Sequence, residues 1–387
     1  MIQENLVNFN ASKNNFAGLF ESRSPESVLI SIKQTTKENY EKILQVCEKI
    51  GLSEKISSVL QPGTSAEINS QNFIITFESN KSLLLRRCCK FQGKERYESL
   101  YNVLAVLRGE GVRVPEFYSL SSDETVPYYE MEDIDQKVSW VFFKYIEAKR
   151  YFSGRKDDLV AAGEQIGKMH ACLKKHYDKR SVIPENTSSI ENNHGPSLKS
   201  KELENYFKII AKRIKNGGDD YDKIFIENYQ LIHSMVNFVE ENAIVLQDID
   251  DIQNIHFDLN SSNFLLDEDQ QVTIMDFDEL KLGNVYTDIG FAFHRLITTC
   301  IEQGQCEEKI PEIIQIFLTA YIKTNPDVKF DVKKLIVATY NRALRNIKAN
   351  LILKYEKSSN DWLSSIPINI KRLKQVIFLT NIAEAIL

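Results

Sequence analysis

No apolar run in this 387-residue chain approaches the roughly 18–20 residues that a membrane helix needs. A spanning protein is therefore not expected. The stretch Met1 to Phe20 lacks a basic region followed by an apolar core, so a secretory leader is not expected either. Six cysteines (Cys47, Cys88, Cys89, Cys172, Cys300, Cys306) form no Cys-x-x-Cys and no disulfide-like framework, and no His/Cys/Glu cluster has zinc spacing. Adjacent Cys88 and Cys89 on a strand point to opposite faces and read as small apolar fillers. These absences together suit the cytoplasm. A formal net charge of −6 lacks the positive excess with which a general nucleic-acid binder neutralises phosphates, though a local basic pocket remains open. There is no Gly-x-Ser-x-Gly elbow, no Gly-x-x-x-x-Gly-Lys-Ser/Thr phosphate loop, no internal repeat and no low-complexity tract.

What is present is an ordinary globular composition, 43% hydrophobic and 26% charged, on a chain long enough for two domains or one two-lobed domain. Residues 1–36 are polar and weakly periodic and read as an N-terminal extension with some helix. Helical spacing predicts a helix over Thr36–Ile50, stopped by Gly51. A β-rich block follows at Ile56–Leu60, Asn72–Glu78 and Ser82–Cys88, the last two joined by the turn Ser79-Asn80-Lys81. A helix over Lys94–Arg108, a strand starting after Pro115 and a strand over Val138–Ile146 complete this part. Beyond it the chain turns helical: 155–177, 201–215, 222–241, 285–302, 308–324, 331–355 and 367–386. The polar loop 180–200 is long enough to be functional.

Between those helices lies "NIHFDLNSSNFLLDEDQQVTIMDFDELK", residues 254–281. It holds His256, Asp258 and Asn263 in a His-x-Asp-x-x-x-x-Asn run. The apolar strand Phe264–Leu266, a polar tip from Asp267 to Gln271 and the strand Val272–Ile274 follow, ending on Asp276-Phe277-Asp278. This is a hairpin with carboxylates at both mouths. Phosphoryl transfer from ATP needs one carboxylate to orient a hydroxyl and an Asn/Asp pair to hold Mg²⁺ against the phosphates. Asp258 is the candidate for the first task and Asn263 with Asp276 for the second. His256 suits a structural bond from its ring to backbone of the second loop. Asp278 either reaches the metal or caps the following turn.

The stretch resembles the catalytic and metal loops of the aminoglycoside phosphotransferase/choline kinase family, small-molecule kinases related in fold to protein kinases. The likeness extends over about residues 50–300 through "LLLRR", "EGVRVP", "VFFKYIEAKRYFSG" and "LGNVYTDIGFAFHRLI", and "EINSQNFIITF" resembles hexosamine and homoserine kinases. It implies an α+β, two-lobed, protein-kinase-like fold: extension 1–36, β-rich nucleotide-binding lobe 37–145 with the hinge at its end, and helical lobe 146–387. It implies ATP and Mg²⁺ as cofactors and a small-molecule hydroxyl as acceptor. For nucleotide it points to Ser65 and Asn69 in the loop 61–72, Arg86 (or Arg87) where the family has Lys, Glu98 (or Glu95) as its carboxylate partner, and the hinge at Phe143, Tyr145 and Ile146. Metal ligation falls to Asn263, Asp276 and Asp278, and the catalytic loop to Asp258 with His256. Asp288 is expected at a helix N-terminus, and His170 and His294 as packed core histidines. The acidic runs at Gly218-Asp219-Asp220 and at Asp248, Asp250 and Asp251 would suit a cationic acceptor, a neutral sugar or amino alcohol being equally open. The missing Lys and thin phosphate loop leave a pseudokinase-like binding module as the alternative. A protein kinase fits less, because Asp-Phe-Asp replaces Asp-Phe-Gly and no Ala-Pro-Glu follows.

Overall fold

The structure is a computed structural model that describes residues 19–20, 31–63, 70–88, 93–118, 128–133, 136–151, 153–178, 180–182, 202–214, 218–304, 307–357 and 363–387. The chain begins with strand β1 (Ser31–Gln34), helix α1 (Lys37–Lys49), strands β2 (Ile56–Gly63), β3 (Ser70–Phe77) and β4 (Ser82–Cys88), helix α2 (Lys94–Gly109), and strands β5 (Tyr128–Asp133) and β6 (Gln136–Lys144). The six strands form one antiparallel sheet in the order β1-β2-β3-β4-β6-β5. Thr36 caps α1 by accepting the Asn39 N–H, and Gly51 ends it at φ +81°.

Alternation along β4 gives its two faces different neighbours. Leu83 and Leu85 join Phe73, Ile75, Phe77, Trp140 and Phe142 in a core closed by Ile43, Val46 and Cys47 of α1. Cys88 faces the other way, into a core shared by α2 and the helical lobe. The side chain of Arg86 points to that second face, between the lobes.

The second lobe holds β7 (Lys149–Arg150), α3 (Lys156–Tyr177), α4 (Glu202–Ile214), α5 (Asp220–Glu227), α6 (Tyr229–Asn242), β8 (Ile252–Ile255), β9 (Phe264–Leu266), β10 (Val272–Ile274), β11 (Lys281–Asn284), α7 (Val285–Glu302), α8 (Ile310–Thr324), α9 (Val332–Tyr355) and α10 (Ser365–Ile386). Small sheets β10-β9-β7 and β11-β8 carry the loops between the lobes. The fold is the expected two-lobed, protein-kinase-like α+β architecture. Among the described residues no helix is long and apolar enough to cross a membrane.

Four local expectations change. Residues 31–34, in the stretch read as an N-terminal extension with some helix, are an edge strand of the sheet, and Leu19 accepts a hydrogen bond from Gln375 of α10. The strand expected after Pro115 is a single bridge, Phe117 to Phe143. The helix expected over 222–241 is two, because Asn228 turns its amide Nδ2 onto Ile224 O at 2.7 Å and competes with the backbone ladder. The charged sequence of β5 hid an edge strand.

Candidate active site

The hairpin register builds the centre. Val272 pairs with Leu266 and Ile274 with Phe264, so the residues just outside the strands meet. There Met275 N–H donates to Asn263 O at 2.8 Å, setting Asn263 beside Asp276. Asp276 adopts φ +62° and ψ +64°, a left-handed conformation that favours glycine and costs about 1–3 kcal/mol in other residues. Phe257, beside Asp258, is also left-handed at φ +70°.

His256 and Asp288 hold both loops. The buried His256 ring donates through Nε2 to Met275 O at 2.7 Å and accepts the Asp258 N–H on Nδ1 at 3.2 Å. That is the ring-to-backbone contact expected from the sequence. Asp288 does not cap its own helix; Asn284 does, accepting Tyr286 N–H at 2.9 Å. Asp288 instead accepts the backbone N–H groups of His256 at 2.6 Å and Phe257 at 2.7 Å. His170 sits against the same carboxylate at 3.2 Å, with Tyr321 OH 3.1 Å from its other ring nitrogen.

Asn263 Nδ2 donates to Asp258 O and Oδ2, both at 2.9 Å, which leaves Oδ1 as the amide atom able to meet a cation. Burial raises Asp258 above the usual carboxylate range, opposed mainly by Arg342. Burial also works to raise Asp276, but Arg86 beside it holds that carboxyl below the usual range. Burial leaves Asp278 raised in spite of Arg86.

The two arginines of β4 separate as strand alternation demands. Arg86 Nη2 lies 3.0 Å from Asp276 Oδ1 and 2.8 Å from Asp278 Oδ2. Arg87 faces the opposite side, bonding Gln71 Oε1 at 3.0 Å near the Trp140 ring. The structure does not bring Glu98 to Arg86. Glu98 is half-exposed and pairs with Lys94 one turn away at 3.5 Å, and Glu95 is exposed too. The α2 residue that turns inward is Arg96, which donates to Asp278 O. The acidic third position of Asp-Phe-Asp thus occupies the place expected for a helix glutamate.

Phe143, one residue before the end of β6, packs on Phe117 at 4.4 Å between ring centroids. Tyr145 and Ile146 follow on the stretch outside any strand that links β6 to β7. Ser65, Asn69 and residues 183–200 lie outside the described residues. The acidic runs are consumed elsewhere: Asp219 caps α5 and pairs with Lys354, and Asp248 and Asp251 pair with Lys334.

Sequence reasoning missed Arg342 and Lys281. Arg342 of α9 has Nη2 at 3.9 Å from Asp258 Oδ1, and its guanidinium stacks on Phe257 and Phe291 at 4.3 and 4.6 Å. Lys281 Nζ lies 3.1 Å from the Phe257 ring centre, and burial pushes its pKa down to about 8. No motif marks either residue. Arg342 arrives through a close crossing: a Cβ on Gly290 of α7 would sit 2.5 Å from Thr339 Oγ1 of α9.

The model of the "Phosphotransferase enzyme family" matches residues 62–327. Spectinomycin phosphotransferase APH(9)-Ia is 16% identical with a TM-score of 0.59, covering 89% of this chain and 98% of its own. A microcompartment-associated aminopropanol kinase is 15% identical with a TM-score of 0.53 over 89% and 98%. Choline kinase LicA from Streptococcus pneumoniae is 17% identical with a TM-score of 0.50 over 89% and 99%. At these identities the solved structures show the fold alone. A comparison with curated proteins finds no match. The family model spans well over half of the chain, and the chain belongs to the phosphotransferase enzyme family.

Proposed function

We propose that this phosphotransferase moves the γ-phosphoryl group of ATP, with Mg²⁺, onto a hydroxyl of a small molecule. The observation that carries the reading is the meeting of Asp258, Asn263 and Asp276 at the mouths of one hairpin, with Arg86 of the other lobe on Asp276. The solved relatives lend support: APH(9)-Ia was crystallised with ADP and spectinomycin, and amicoumacin kinase with AMP-PNP and Ca²⁺.

Asn263 Oδ1 and the Asp276 carboxylate are hard oxygen donors on adjacent backbone. Among the described residues no three His, Cys, Asp or Glu side chains converge on a point. So sparse a set fits Mg²⁺, which keeps waters and completes its shell with substrate phosphates. When bound, the ion neutralises charge on the phosphate oxygens. Asp258 orients the acceptor hydroxyl and takes its proton as that oxygen bonds to the γ-phosphorus and the bond to the ADP oxygen breaks. A loose transition state asks chiefly for positioning, which the Asn263 bond to Asp258 supplies. Arg86 offers several donors in one plane for phosphate oxygens, while Asp276 and Asp278 fix its direction. Ser65, Asn69 and the backbone at Phe143–Ile146 complete the nucleotide site.

Replacing Asp258 by Ala is expected to lower transfer about 10²–10⁴-fold, with Mg·ATP affinity by calorimetry largely kept. Turnover near the wild-type rate would overturn its role. A pseudokinase-like module would bind ATP and transfer it to no acceptor. Unchanged thermal stability in Mg·ATP would remove both readings, since a site ligand stabilises the folded state.

A further inference from the structure

Arg342 stands beside the carboxylate assigned to the acceptor hydroxyl and makes no hydrogen bond to it. Its Nη2 is 3.9 Å from Asp258 Oδ1, close enough for charge to act and too far for a hydrogen bond. The Arg342 side chain is 15% exposed, and its buried Nε has no hydrogen-bond partner among the described residues. An arginine held away from water ordinarily spends its planar donors on carboxylates or carbonyls. What holds this one is stacking: its guanidinium lies over the ring of Phe257 at 4.3 Å and that of Phe291 at 4.6 Å. Burial draws its pKa below the usual arginine range, opposed by Asp258, Asp288 and Glu279, and a guanidinium stays cationic at neutral pH.

The aromatic side chain of Phe257 sits where the backbone would prefer none. Phe257 precedes Asp258 at φ +70°, in the left-handed region that glycine adopts freely and a bulky residue does not. Its N–H goes to Asp288 Oδ1 at 2.7 Å, a bond that does not involve the ring. The ring, which a glycine would lack, carries the Arg342 guanidinium and, 3.1 Å from its centre, Lys281 Nζ. The two oxygens of Asp258 are meanwhile used unequally. Oδ2 accepts Asn263 Nδ2 at 2.9 Å, and Oδ1 accepts no hydrogen bond among the described residues.

We propose that Arg342, shelved on Phe257 and Phe291, is a positioning residue: it orients the Asp258 carboxylate by charge and leaves Oδ1 open to receive the acceptor hydroxyl. The proposal rests on the phosphotransferase reading given above, which assigns Asp258 its role. A guanidinium about one ångström closer would bond Oδ1 directly and occupy the oxygen that the acceptor needs. Stacked on two rings, a planar cation is held at its distance; a lysine in the same place would have no plane to stack. Orientation of this kind acts on the reacting hydroxyl and not on the nucleotide, so it shows in turnover rather than in ATP affinity.

The test uses the full chain with Mg·ATP and water as the acceptor, phosphate release being followed with nothing else added. Asp258→Ala, expected to lose this hydrolysis, ties the readout to the carboxylate. Arg342→Ala is expected to lower kcat about tenfold or more with KM for ATP within about twofold of wild type. Millimolar guanidinium ion is expected to restore part of that loss and to leave the wild type unchanged, while sodium chloride at the same ionic strength restores none. Phe257→Leu keeps an apolar side chain and removes the aromatic face. It is expected to lower kcat in the wild type and to add no loss to Arg342→Ala, because the ring acts through the guanidinium. This variant decides the matter if Arg342→Ala fails to fold. An unchanged kcat in either variant, a KM that rises as much as kcat falls, rescue no better than that of salt, or additive losses would overturn the proposal. Hydrolysis absent from the wild type, or surviving Asp258→Ala, would instead strike the reading of Asp258, and the two failures are distinguishable in the same assay.

Discussion

Asp276 occupies a backbone conformation that an aspartate adopts at a cost, and three neighbours keep it there. Met275 is bonded on both sides of its peptide unit, by Asn263 O and the His256 ring, and Arg86 takes the Asp276 carboxylate. Arg86 also serves Asp278, so one buried guanidinium balances two acids, which hold its own pKa high although burial alone would lower it. Removing one partner of such a pair leaves charge buried without compensation. Arg86→Met is therefore expected to lower stability and to weaken Mg·ATP binding. In a double-mutant cycle with Asp278→Asn, urea unfolding is expected to give a coupling of about 0.5–3 kcal/mol; strict additivity would mean that the 2.8 Å contact contributes nothing. At this scale the sequence was informative about residue type and silent about pairing. Strand alternation left Arg86 and Arg87 on opposite faces without saying which face met the second lobe. Glu98 best fitted the spacing of the family that the sequence resembles, yet the turn of α2 aims Arg96 inward, and Asp278 fills the acidic place.

Among elements, α7 is one that holds the loop carrying Asp258. Its Asp288 holds two backbone N–H groups of the left-handed turn at Phe257, and its Arg295 reaches Asn260. Hydrogen bonds to a charged group contribute about 1.5–3 kcal/mol each, and an amide side chain would set donors against donors. Asp288→Asn is thus expected to cost roughly 2–4 kcal/mol in urea unfolding and to slow transfer more than it weakens nucleotide binding. A loss confined to stability, with kcat unchanged, would show that the turn survives without it. Gly290→Ala acts on the same helix from its other side. The added methyl would push α9 away from α7, and with it Arg342 from Asp258; a larger loss in kcat than in nucleotide affinity is the expected result. The sequence placed α7 correctly from its apolar spacing and expected Asp288 near a helix start. It could not tell that Asn284 already served as the cap, so that the carboxylate was left for a loop distant in sequence.

Across the whole molecule, two buried cores lie on the two faces of β4. His294 is buried in the helical lobe, its Nε2 donating to Gln375 Oε1 at 3.3 Å. Burial, with Arg295 and Arg372, depresses its pKa well below the usual 6.5. The unfolded chain therefore binds a proton that the folded one refuses, and stability falls as pH drops through about 6.5. Between pH 7.5 and 5.5 this group alone accounts for about 1 kcal/mol, and His294→Gln should flatten the urea midpoint over that interval by a matching amount. The sequence by itself determined the lobes, most helices and the reactive hairpin, because these rest on local periodicity, turn residues and motif order within one stretch. Tertiary structure alone decided which arginine reaches Asp276, what Asp288 binds, and that Arg342 approaches Asp258 while Arg295 bonds Asn260. Those residues come from helices far apart in the chain, and an arginine on an amphipathic helix carries no local sign of whether it will face water, a partner acid or a substrate.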